Sequence, residues 1–168
     1  MKKLLLLSVI VLALCFISCE KDDICDENTA TTPRLIVKFF DLANPTIAKN
    51  VTQLSVVGEG MTDTLNVFNG VNTIELPLKT TEDITQYRFI LNSTNAAIAN
   101  EDKLQFNYSR ENIFVSRACG YKTLYTLADS DAVIHTDATV PDGFWMQNII
   151  ISEPNIQNED ETHISIYF

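Results

Sequence analysis

From Leu35 to the last residue, apolar side chains recur at every second position in short runs, and this alternation constrains the fold more than any other feature of the chain. Successive side chains of a strand point to opposite faces, so such a run buries one face and leaves the other wet. Leu35, Val37 and Phe39 open the pattern, and it recurs over residues 51–57, 62–68, 71–78, 84–91, 103–108, 112–116, 121–127, 132–135, 144–152 and 162–168. Asn, Asp, Gly, Ser and Pro punctuate the runs. Asn69-Gly70 between two of them is the strongest short hairpin signal. A helical period is suggested only over residues 94–100. Many short strands separated by turn residues predict an all-β protein, an antiparallel β-sandwich of Ig-like or transthyretin-like kind.

The first 23 residues carry a different message. Met1-Lys2-Lys3 precedes an apolar run of 14 residues, Leu4 to Ile17. That length suits the about 7–15 apolar residues of a secretory signal and falls short of the about 20 a spanning helix needs. Phe16-Ile17-Ser18-Cys19 resembles a bacterial lipobox, in which a small residue precedes a cysteine that is acylated and becomes the mature N-terminus. Cys15 is the rival anchor, but Leu14 before it is bulky. Phe16 stands where Leu or Val is usual, a relaxed box similar to those of Bacteroidota lipoproteins. An ordinary cleaved signal with an incidental Cys19 is the alternative. The chain therefore divides into a signal peptide (1–18), a lipid-anchored acidic linker (19–32) and a sandwich (33–168).

Glu20, Lys21, Asp22 and Asp23 have two readings. They are a solvated spacer, or they are similar to the acidic export signals that send Bacteroidota lipoproteins to the cell surface. A closed outer-membrane barrel competes for the fold, since Ile164-Ser165-Ile166-Tyr167-Phe168 alternates and ends on an aromatic. A lipid anchor makes a second membrane insertion redundant, and the runs are too short and polar for a lipid-facing band.

Removal of residues 1–18 leaves 150 residues, one domain able to bury about 68–70% of its unfolded surface. Lys2 and Lys3 leave with the signal and no acid does, so the formal charge moves from −10 to −12. Without a basic cluster, nucleic acid and anionic headgroups are poor partners. Of four cysteines, Cys15 leaves and Cys19 is lipidated. Cys25 and Cys119 remain, and in an oxidising compartment such a pair reads as a disulfide. A reactive thiol near Arg117 and Lys122 is the other reading.

No HExxH, GxSxG, GxxxxGK[ST] or CxxC spacing is present. His135 and His163 fall inside candidate strands and read as exposed strand residues, so no metal is expected. Asp129 and Asp131, with Asp137 and Asp142 beyond, could offer oxygens to calcium, but solvated turn acids explain them as well. Trp145, between Phe144 and Met146 after Pro141-Asp142-Gly143, is the one place where aromatics gather near a loop. It is either a sugar-stacking face or part of the core. Asp63-Thr64-Leu65 resembles a short Bacteroidota O-glycosylation motif.

Ser116-Arg117-Ala118-Cys119-Gly120-Tyr121-Lys122-Thr123 and Pro33-Arg34-Leu35-Ile36-Val37 together resemble an uncharacterised lipoprotein family of Bacteroidota. The resemblance implies a domain of unknown function with a cysteine pair, and it brings no catalytic residues. The expectation is a non-enzymatic binding or accessory subunit at the outer membrane, on its periplasmic face or the cell surface. It would carry no cofactor, be held by lipid on Cys19, and meet envelope proteins or glycans. A glycan-binding surface module and an adhesin-like structural subunit are the alternatives.

Overall fold

The computed structural model describes residues 24–61 and 66–168. Two compact units result, one of 24–31 with 113–122, the other of 32–112 with 123–168. The strands are β1 (Leu35–Phe40), β2 (Leu54–Gly58), β3 (Asn66–Phe68), β4 (Thr73–Leu76), β5 (Ile84–Leu91), β6 (Asn100–Ser116), β7 (Gly120–Leu127), β8 (Val133–Asp137), β9 (Asn148–Ile151), β10 (Asn155–Ile156) and β11 (Ile164–Tyr167). They form two sheets, ordered β4-β1-β11-β9 and β10-β7-β6-β5-β2-β3, with β8 paired to β6. The protein is an all-β sandwich. No described helix is long and apolar enough to cross a membrane.

The alternation works as expected in β6, where Leu104 and Phe106 are fully buried, and in β1 Leu35, Val37 and Phe39 are fully buried although Ile36 on the other phase is buried too. They meet Phe89 of β5, Tyr125 of β7 and Ile164 and Ile166 of β11 in one core. Three buried tyrosines tie this core to the segment after β4. Tyr87 donates to the Pro77 carbonyl, Tyr125 to Leu78 O (3.1 Å) and Tyr108 to Lys79 O (3.0 Å). Burial raises all three phenols above their ordinary range, Tyr125 to about 12.

Three features depart from the alternation reading. β1 and β11 run parallel in the register Val37↔Ile164 to Phe40↔Tyr167, whereas the other pairings with a described register are antiparallel. Asn69-Gly70 is no hairpin: β3 pairs with β2 while β4 pairs with β1 in the other sheet. The reason lies in Val51, whose N–H donates to Val71 O (2.8 Å) while its carbonyl accepts from Gly70 N (2.9 Å), so the turn is captured by a distant segment and carries the chain between sheets. Gly70 takes the φ of +70° that this path needs. Residues 94–99 form turns rather than a helix, Asn100 already belongs to β6, and Asn92 just ahead of them is left-handed.

His163 is buried just ahead of β11, 1% exposed, not on a strand surface. Its Nδ1 accepts the Ile36 N–H at 2.9 Å, which a protonated ring could not do. Burial lowers its pKa, against the opposing pull of Glu153 and Glu159. A histidine depressed on folding leaves the unfolded chain to take the proton first, so stability is lost as pH falls below the ordinary value of about 6.5. Melting temperatures at pH 7.5 and 5.5 should therefore differ, and in His163→Gln the drop should shrink; an unchanged drop would assign it to other groups.

Candidate functional site

Strands β5 and β6 build the floor of a cleft of about 530 Å3 on the outer face of the larger sheet. That size lies within the range of small-molecule sites. The same alternation that sends Phe89 and Leu104 inward sends Arg88, Ile90, Glu101 and Lys103 outward. Arg88 grips Glu101 with two parallel hydrogen bonds, Nε to Oε1 at 3.0 Å and Nη2 to Oε2 at 2.6 Å, and this pairing raises the guanidinium pKa. Lys103 Nζ lies 3.9 Å from Glu101 Oε1 and donates to Thr139 Oγ1 at 2.8 Å. One wall is the turn Gly58-Glu59-Gly60-Met61; the other is 138–142. Gly58 leaves room for the Met61 side chain, whose Sδ would stand 2.8 Å from a Cβ at that position.

Carboxylates fasten the second wall. Asp137 accepts from Ala138 N (2.6 Å) and Asp142 N (3.4 Å) at one oxygen and from Gly143 N (3.1 Å) at the other. Partial burial alone would raise its pKa, but these donors outweigh it and the net direction is down. Asp142 in turn accepts the Glu101 N–H at 3.2 Å. On the inner face Asp102 is wholly buried, and its Oδ2 accepts the Met146 N–H at 2.8 Å. His135 Nε2 lies 3.1 Å from the same oxygen, and Asp102 Oδ1 has no hydrogen-bond partner. The segment leaving the cleft is thus pinned to β6 at both Glu101 and Asp102.

That pinning decides the role of Trp145. It is 8% exposed, its ring centroid is 6.3 Å from Phe39 and 5.4 Å from Phe168, and its Nε1 donates to Phe89 O at 3.2 Å. Of the two readings of Trp145, the core one holds and the ligand-stacking one is corrected, since a ring enclosed by Phe39 and Phe168 has no face for a sugar. Trp145→Phe should lower the unfolding free energy by about 1–2 kcal/mol through the lost indole hydrogen bond and smaller ring, as read by urea unfolding.

Of the other anticipated residues, Cys25 and Cys119 are joined in a disulfide with Cα atoms 4.9 Å apart. Cys19, Glu20, Lys21, Asp22 and Asp23 lie outside the described residues, as does Asp63-Thr64-Leu65. Asp129 and Asp131 sit in the loop between β7 and β8, and no group of three or more potential metal ligands occurs among the described residues. His135 is half-buried beside Asp102 rather than exposed.

Sequence reasoning missed Arg88, Glu101, Lys103 and Asp102. The alternation phase could have found them: Asp102 shares the inward phase of Leu104 and Phe106, and Glu101 and Lys103 share the outward one. Chemically, the cleft presents two cations already engaged by a carboxylate and a threonine, with Glu59 and Asp142 at its walls. Such a surface can recognise polar groups by hydrogen bonds and charge.

No curated protein and no solved structure matches this chain. Residues 53–168, well over half its length, match a family of unknown function, DUF6452. That span includes β2 to β11, the whole cleft and Cys119, and on it the chain belongs to the DUF6452 family.

Proposed function

We propose that the protein is a lipid-anchored subunit of a bacterial cell envelope, of Bacteroidota type, held at the outer membrane by acylated Cys19. It acts as a non-enzymatic binding or accessory module, and the Arg88-Glu101-Lys103 cleft is where a polar partner group docks. The observation that carries this reading is the Cys25–Cys119 disulfide, because such bonds persist in oxidising compartments outside the cytoplasm. The lipobox-like Phe16-Ile17-Ser18-Cys19 supports the anchor. The engagement of Arg88 and Lys103 with Glu101 and Thr139 supports recognition over catalysis.

Protease shaving of intact host cells, with a periplasmic protein as internal control, tests the placement. Digestion with the control intact places the domain at the surface and supports Glu20, Lys21, Asp22 and Asp23 as an export signal. Protection that is lost on permeabilising the outer membrane places it on the periplasmic face. Recovery in the cytoplasmic fraction with free Cys25 and Cys119 thiols overturns the proposal.

A further inference from the structure

The unit formed by 24–31 and 113–122 exposes apolar side chains that its own packing does not cover. Phe114 and Tyr121 face each other across the β6–β7 turn edge to face, centroids 5.4 Å apart, yet stay 56% and 70% exposed. Ile24, next to Cys25, is 83% exposed. Exposed side chains of this size gathered on one small unit mark a contact surface. The turn between the rings is built rather than loose. Cys119 N donates to Ser116 Oγ at 3.0 Å, Gly120 adopts a φ of +72°, and the disulfide binds the turn to the N-terminal arm.

Two further observations identify what the surface meets. Residues 113–122 hold Arg117 and Lys122 and no carboxylate, in a chain whose formal charge is −10. Together with Asp26 and Glu27 they leave residues 24–31 and 113–122 balanced, so the two basic residues of the turn stand out from a chain that is acidic elsewhere, including the net −2 of Glu20, Lys21, Asp22 and Asp23. Only six residues lead from Cys19 to Cys25, a reach of at most about 20 Å when extended. Resting on the Cys19 anchor proposed above, we infer that this disulfide-tied turn is a membrane seat. Phe114 and Tyr121 enter the headgroup layer of the bilayer that holds the acyl chains, and Arg117 and Lys122 lie along it toward phosphate. A phenol ring suits that boundary, apolar in body and polar at its tip, and long basic side chains keep their charge in water while their stems cover apolar surface.

The test uses the full acylated protein, its acyl mass verified, carrying Phe114→Trp and reconstituted into phosphatidylethanolamine–phosphatidylglycerol vesicles doped with brominated phosphatidylcholine. Wild type, whose single tryptophan is the core residue Trp145, sets the background. Side chains seated at an interfacial depth of about 5–10 Å should lose roughly half of the added emission to bromine and shift it to the blue. Added emission quenched no more than Trp145 overturns the seat while leaving the anchor intact, and it would turn the pair toward a protein partner. Tyr121→Trp gives the same readout should Phe114→Trp not fold. Absence of the acyl mass is a separate result: it overturns the anchor, and the seat with it.

Discussion

A chain ending at Glu161 is expected not to fold. The seven residues lost include β11, the interior strand between β1 and β9, so both neighbours lose a hydrogen-bonding partner at once. Ile164 and Ile166 are each 0% exposed, and emptying one such site costs about 2–5 kcal/mol. Two of them approach the whole stability of a small domain, about 5–15 kcal/mol, before the ladder, His163 and the Phe168 contacts with Phe39 and Trp145 are counted. Near-ultraviolet circular dichroism should show no fixed aromatic signal, and urea should produce no cooperative transition. A truncated chain that still unfolds cooperatively near the wild-type midpoint would refute the central role given to β11.

The second large effect is expected from the cysteine pair. Cys25 and Cys119 enclose a loop of 94 residues in sequence separation. Loop-closure entropy for about 100 residues is worth up to about 4.7 kcal/mol, so the double variant Cys25→Ser/Cys119→Ser should lose a large fraction of the protein's stability. Wild type under reductant should fall to the same urea midpoint, and without reductant neither cysteine should alkylate. A loss below about 1 kcal/mol would mean that the unfolded chain keeps the two ends together without the bond.

How much of this was readable beforehand depends on how local each decision is. The inward phase of Leu35, Val37 and Phe39 and that of Ile164 and Ile166 follow from alternation alone, and counting cysteines found the disulfide. Asn69-Gly70 misled because hairpin chemistry describes only the turn, whereas the path was decided by Val51, some twenty residues upstream. His163 and Trp145 gave no sign of their partners: Ile36 accounts for one and Phe39, Phe89 and Phe168 for the other, all far away in sequence. Asp102 was hidden between Glu101 and Lys103, where three charges in a row look like solvent-facing surface. The cleft was illegible because its walls, 58–61 and 138–142, meet only once β5 and β6 have paired between them.

The parallel pairing of β1 with β11 also sets a timetable for biosynthesis. Val37 finds Ile164 only after almost the entire chain has been made, so the smaller sheet cannot close around a growing polypeptide. Until then β1 and β4 form at most a two-stranded ribbon, which is marginal alone in water. Contacts this distant in sequence slow folding. The smaller sheet is therefore completed last, after the strands of the larger sheet already have their partners in the chain.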